Sequence, residues 1–457
     1  MSKHLRIMIV LALLVGVLAM SAGSVAQARQ KVTITWFVGV GAGTQPEQID
    51  PENAFVEAFN KSQDQIELVL NIAASNQTAP QILATLIASG EAPDIVGPMG
   101  FSGANLFPDE WLDLQSLIES TGFKLGEFPP NLVDAYRTVD KGLTGLPFAV
   151  FPGVLYYNVD LFDEAGLNYP PTVAGDPYVM PDGTKVPWDY DTVVNIGKIL
   201  TVDANGNDAT SPDFDPNNIV QYGFVHQFDT IRSDLQTFGA APVVNADGKV
   251  QFPDFWRAEA QWLWDSVWTW HISPTDGAIA SALLNNNAFN SGKVAMARSM
   301  AWYTCCVGAV PNWDLAMQPA YKGTINAPID MDTFRIDKNT KHPEEAFAVL
   351  TYMLGEGELE LATIYGGFPA RAEIQNDWIK AKGAQYPSVT HWEVIPNSMG
   401  LAASPHHESW YPGFAKGQNR FTDFLTLIRS DSGGEIDVNA EFDKLQSDIQ
   451  AIVDEGS

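Results

Sequence analysis

Gly142-Leu-Thr-Gly-Leu-Pro147-Phe-Ala-Val-Phe151-Pro152-Gly-Val-Leu-Tyr156-Tyr157-Asn158-Val-Asp160-Leu-Phe-Asp-Glu-Ala-Gly166 is the stretch on which the reading of the chain turns. Prolines and glycines bracket short apolar runs there. That pattern predicts a strand, a crossing segment, a second strand over Val154 to Asn158, and a short helix stopped by Gly166. An interrupted extended stretch in mid-chain reads as a hinge between two lobes.

Outward toward the N-terminus, Lys31 to Val38 reads as a buried strand, and the glycine loop Gly39 to Thr44 follows it. Asp50-Pro51-Glu52 opens an amphipathic helix carrying Phe55, Val56 and Phe59. Ile66 to Ile72 alternates as a strand, Ala79 to Ser89 is helical with Gly90 as its stop, and Pro93 to Val96 is a further strand. This βαβαβ rhythm predicts an α/β lobe with parallel strands, in which ligands sit beyond the strands' carboxyl ends. The loop holding Gly41 and the loop Gly97 to Gly103, with Phe101, therefore face a common cleft. A dinucleotide site is disfavoured, because the glycines are spaced GxGxG and the helix starts several residues late.

Outward toward the C-terminus, a polar insert fills Tyr169 to Pro187, and Trp188-Asp-Tyr-Asp opens a helix that runs to Leu200. The run Asp203 to Asn218 invites a calcium reading. Its sixth and twelfth positions are Asp208 and Phe214 rather than Gly and Glu, so an Asn/Asp/Gly turn is preferred. Ile219 to Val225 is a strand whose exit carries His226, Gln227 and Arg232; His226 has no second histidine at ligand spacing. Tryptophans crowd Pro253 to His271, where Trp264 and Trp268 share a helical face and read as core.

Lys293 to Arg298 forms a strand, and Trp302, Tyr303, Cys305 and Cys306 follow it. An indole offers the flat apolar face that suits the C–H face of a pyranose, although a large aromatic is equally at home in a core. Adjacent cysteines bridge only with a strained peptide, which leaves a disulfide and two thiols both open. Trp313 to Gln318 and Thr324 to Ile329 read as strands around a second crossing, Pro319 to Gly323. Asp330 and Asp332 follow, bringing two carboxylates toward the cleft. Such acceptors suit vicinal hydroxyls, and as a pair they would also suit a glycosidase.

Three separated motifs then stand in order: "GLPFAV…LYYNVDLFDEAGL" over Gly145 to Leu167, "FxxGKxAM" over Phe289 to Met296, and "GxxPAR" over Gly366 to Arg371. Together they resemble the extracellular solute-binding proteins of ATP-driven sugar importers, the maltose-binding-protein type. The resemblance implies a two-lobed α/β periplasmic-binding-protein fold of type II, with discontinuous lobes joined by crossing hinge segments. Lobe 1 would comprise 29–149 and 323–366, and lobe 2 would comprise 150–322 and 367–457. It further implies capture of a neutral sugar or oligosaccharide between the lobes, by a monomer that passes it to a membrane permease driven by an ATPase. The residues it brings to the ligand are Trp302, Trp410, Tyr411, Phe151, Gln227, Arg232, Asp332, Asp330, Gly41, Phe101 and Tyr303. It implies neither cofactor nor metal. Alternatives are a secreted carbohydrate-active enzyme using Asp330, Asp332 or Glu408, and a binder of a phosphorylated polyol or peptide.

Composition agrees with that class. Lys3 and Arg6 precede an apolar run from Ile7 to Met20, and Ala26-Gln27-Ala28 offers a cleavage site, together the signature of a secretory signal peptide over residues 1–28. Cleavage there takes the formal charge from −29 to −31, which disfavours nucleic acid and anionic lipid as partners. The only cysteines are Cys305 and Cys306, so none stands at the cleavage site to carry a lipid, and a free periplasmic or secreted protein is expected. GxSxG, HExxH, P-loop and CxxC elements do not occur.

Overall fold

The computed structural model describes residues 31–138 and 141–456; the expected signal peptide lies outside the described residues. Val32–Val38 is apolar and β-branched, pairs in parallel with Ile66–Ile72 along its whole length, and meets Ile95–Met99 on its other side. Helices Pro46–Ser62 and Ala79–Ser89 make the connections, the second closed by Gly90 in the left-handed conformation. This is the expected parallel α/β unit. The first helix begins earlier than Asp50, because Pro46 suits the first helical turn and Gln45 and Gln48 cap each other; Pro51 lies inside it. The third strand starts at Ile95 and runs past Val96 to Met99.

The sheet continues through Ile329–Ile336 to Leu146–Asn158, and from there through Val294–Met300 and Ile219–His226 to a short edge at Val202–Asp203. Leu146–Asn158 is thus shared by both halves. The sequence reading divided it into strand, crossing and strand, whereas the chain forms one 13-residue strand, buried throughout. An extended backbone accommodates both prolines, and each proline biases its predecessor toward β geometry. The ladder changes partner at Pro152, which pairs with Ile329, while Gly153 pairs with Met300. A residue without an N–H fits this switch point.

Two further expectations shift. Residues 324–328 are not strand: Tyr321 and Thr324 bond each other across a tight turn, Ala327 bridges to Ala402, and Pro328 has no donor for a ladder. The strand instead begins at Ile329, so Asp330 and Asp332 lie within it and, being two apart, share one face.

The chain thus builds two α/β halves joined through one shared strand. In the second half, helix Tyr190–Leu200 packs on strand Ile219–His226 so closely that a Cβ on Gly223 would stand 2.1 Å from the Gly197 carbonyl oxygen. Helices Ile231–Phe238, Asp254–Trp268, Phe414–Arg429 and Val438–Gly456 bury Leu235, Trp256, Phe424 and Phe442 against one another. Trp264 and Trp268 donate to the carbonyls of Gly433 and Ile428, consistent with the core reading. Asp203 accepts from the amides of Asn205, Asn207 and Asp215 at 2.8–2.9 Å, the turn chemistry its sequence favours.

Candidate functional site

A cleft of about 1480 Å³ opens over the face of the sheet where its halves meet. Its wall takes Val40 and Gly41 from the loop after the first strand, and Gly100, Ser102 and Gly103 from the start of the short helix Phe101–Ala104, which replaces the expected loop after the third. Phe151 comes from the shared strand, and Asp330 and Asp332 from the neighbouring one. Trp302, Cys305 and Cys306 come from the short 3-10 helix Ala301–Cys306 that ends the Val294–Met300 strand. Glu408, Gln418 and Asn419 also line it.

Trp302 is oriented rather than free. Its indole N–H donates to Asp330 Oδ2 at 2.8 Å, and Asp330 Oδ1 meets His407 Nε2 at 3.0 Å. Burial works to raise the Asp330 pKa; the hydrogen bonds and charge of His407, together with the Trp302 donor, outweigh it and hold the group below the usual carboxylate value. Asp332, one pleat away, has no hydrogen-bond donor among the described residues. Burial first, and then repulsion from Asp330 and Glu408, push it up to about 8. Glu408 is raised for the same two reasons, and its Oε2 accepts from the Ser102 amide at 3.2 Å. One wall therefore presents a fixed indole, a carboxylate engaged at both oxygens, and a second carboxyl open to the cleft. That set can stack on an apolar ring face and exchange hydrogen bonds with hydroxyls.

Of the residues named from the sequence, Gly41, Phe151, Trp302, Asp330 and Asp332 line the cleft together. The other six do not. Phe101 is buried, stacked on Tyr136 with centroids 4.7 Å apart and set against His406. Tyr303 is fully buried and bonded to Asn287. Gln227 is buried and accepts from the Phe289 amide at 3.2 Å. Arg232 donates to Gln418 at 2.9 Å and to the Ser409 carbonyl at 3.2 Å, over the ring of buried Tyr411. Burial lowers the Arg232 pKa to about 10. Trp410 is 53% exposed and lies outside the lining. Aromatic character alone did not separate a lining residue from one that packs behind it.

Arg298, in the strand that leads to Trp302, is fully buried. It pairs with Asp229 and, at 2.8 Å, with Asp234, which also meets His226 at 2.8 Å. Glu408 was singled out in the sequence only as a catalytic alternative. Gln45, Gln48, Asn76, Gln418 and Asn419 were not singled out at all, since isolated amides carry no motif. Cys305 and Cys306 are bridged, with Cα atoms 3.8 Å apart.

A family model described as bacterial extracellular solute-binding protein matches residues 54–388. No curated protein matches the chain. Solved structures of similar fold include an ABC substrate-binding protein from Listeria monocytogenes in complex with cycloalternan, with TM-score 0.70 and 18% identity over 92% of this chain and 99% of that one. UspC of M. tuberculosis gives 0.68 and 22%, covering 92% and 100% of the two chains. The cyclic alpha-maltosyl-1,6-maltose binding protein from Arthrobacter globiformis gives 0.66 and 16%, covering 93% and 100%.

Proposed function

Because the chain belongs to the bacterial extracellular solute-binding proteins, we propose that it is the receptor of an ATP-driven importer and captures a sugar or oligosaccharide between its lobes. The observation that carries this reading is the indole of Trp302, fixed edge-on by Asp330 in a cleft larger than the roughly 300–1,000 Å³ of ordinary small-molecule sites. A flat apolar face flanked by carboxylates and amides fits a polyhydroxylated ring, and the volume fits more than one of them. The resemblances to a substrate-binding protein in complex with cycloalternan and to a cyclic alpha-maltosyl-1,6-maltose binding protein support the same class.

Ligand would bind first to one lobe, 29–149 with 323–366 or 150–322 with 367–457. Bending along the shared strand near Pro152 would then bring in the second lobe and exclude water. The closed monomer would dock on a membrane permease outside the cytoplasm. No helix among the described residues is long and apolar enough to cross a membrane, in keeping with a receptor that works beside the permease. We assign it no catalytic step. Asp330 has both oxygens engaged by Trp302 and His407, which supports a positioning role over that of a glycosidase nucleophile.

The test is tryptophan fluorescence and thermal shift against glucose, galactose, maltose, maltotriose, cellobiose and cellotriose, with chromatography of the sugars afterwards. A saturable shift with the sugar recovered intact is expected. Breakdown of the sugar would make it an enzyme, and silence across the panel would move the ligand out of the saccharides.

A further inference from the structure

Trp302 and Cys305 stand three residues apart on the 3-10 helix Ala301–Cys306. Three residues complete one turn of such a helix, so side chains at these positions eclipse one another. Both line the cleft, as does Cys306, and Cys305 is exposed there. The disulfide that joins the two cysteines closes a ring between neighbours. The stabilisation a disulfide lends through chain entropy grows with the loop it closes, and here it is near its minimum. What the bridge does is local: it replaces two thiols with a compact apolar ring.

The segment is also held without it. Asn287 donates to the Cys306 carbonyl at 3.1 Å, and the Tyr386 hydroxyl donates to the Thr304 carbonyl at 2.7 Å. Just beyond, Asn290 accepts from the amides of Gly308 and Ala309 at 2.8 and 2.7 Å. The ring is therefore presented to the cleft by a turn that other contacts already fix.

We propose that the Cys305–Cys306 ring is a second apolar platform of the site: Trp302 takes one sugar unit, the ring takes the C–H face of the next, and di- and longer saccharides are thereby selected over monosaccharides. This rests on the reading of the cleft as a saccharide site. With a rise of about 2.0 Å per residue, the two platforms lie roughly 6 Å apart along the helix, the order of the spacing between consecutive sugar units. Reduction adds two electrons and two protons and leaves two thiols free to rotate, with no common face.

Titration calorimetry on the mature protein, with glucose, maltose, maltotriose, cellobiose and cellotriose as probes, tests this. Each sugar is run on the oxidised protein, on protein reduced with a phosphine, and on the double variant Cys305→Ala/Cys306→Ala. The phosphine leaves as its oxide, with oxygen from water, and a thiol assay verifies both thiols. The expected result is an affinity for the best trisaccharide that falls about tenfold on reduction and in the variant, while glucose affinity and the melting temperature hold. An unchanged trisaccharide affinity overturns the proposal, as does a proportional fall for glucose or a preference for glucose in the oxidised protein. Should the variant fail to fold, the reduced wild-type protein gives the answer. Absence of binding by the oxidised protein to every probe is a separate result, which removes the saccharide reading and this proposal together.

Discussion

Asp330 holds Trp302 by its indole N–H at 2.8 Å, and the same carboxylate reaches His407 at 3.0 Å, so a residue of the Ile329–Ile336 strand sets the pose of an aromatic on the 3-10 helix Ala301–Cys306. Such a contact orients the indole before a ligand arrives and so reduces the ordering cost a free tryptophan would pay on binding.

Trp302→Ala should therefore remove both the stacking face and the preorganisation. The expected loss in saccharide affinity is at least tenfold, about 1.4 kcal/mol or more, read by calorimetry. Trp302→Phe keeps a flat face without the donor, and should fall between wild type and the alanine variant. Equal affinity in all three would move the ligand to another wall of the cleft.

The pH dependence follows from Asp332. A carboxyl whose pKa is raised in the folded state favours folding while protonated. Its contribution is complete below the free aspartate value of about 3.9 and is lost as pH rises through about 8. The ligand-free melting temperature should fall progressively from about pH 4 to about pH 8 and level off above it, and Asp332→Asn should flatten part of that fall. Glu52 and Glu358, raised by burial to about 7 and about 8, titrate in the same interval, so the variant removes only its own share.

Removing Arg298 would leave Asp229 and Asp234 buried beside each other without a cation. Arg298→Met should cost about 3–5 kcal/mol of stability, measured by denaturant unfolding. A loss under about 1 kcal/mol would mean that the two aspartates protonate at little cost.

Gly223→Ala tests the packing of helix Tyr190–Leu200 on its strand. The added methyl meets a backbone oxygen 2.1 Å away, which no rotamer change relieves. Destabilisation of about 1–3 kcal/mol or more is expected in the same unfolding experiment, with no change in ligand preference.

Much of the architecture was legible because local signals and the tertiary fold agree. Ile66–Ile72 alternates, and Ala79–Ser89 ends at a glycine that adopts positive φ, so period and stop signal alone locate both elements. Leu146–Asn158 was broken in the reading because prolines argue locally against a strand, whereas its partner strands lie well over a hundred positions further along the chain. The lining of the cleft was legible where a residue sits at the end of a strand, as Trp302 and Gly41 do. Tyr411 and Tyr303 are buried outside that lining, and their burial depends on helices and loops remote in sequence. Asp332 and Asp330 look alike in the sequence, and only Trp302 and the distant His407, both on Asp330, distinguish an engaged carboxylate from an open one.

Leu146–Asn158 also bears on how the molecule melts. One strand supplies hydrogen bonds to the sheets of both halves, and the chain returns to it through Ile329–Ile336 and Phe368–Pro369 after building most of the second half. Neither half can then unravel without stripping this strand from the other. The two lobes should lose their structure in one cooperative event, and a polypeptide cut to contain a single lobe would lack part of its own sheet.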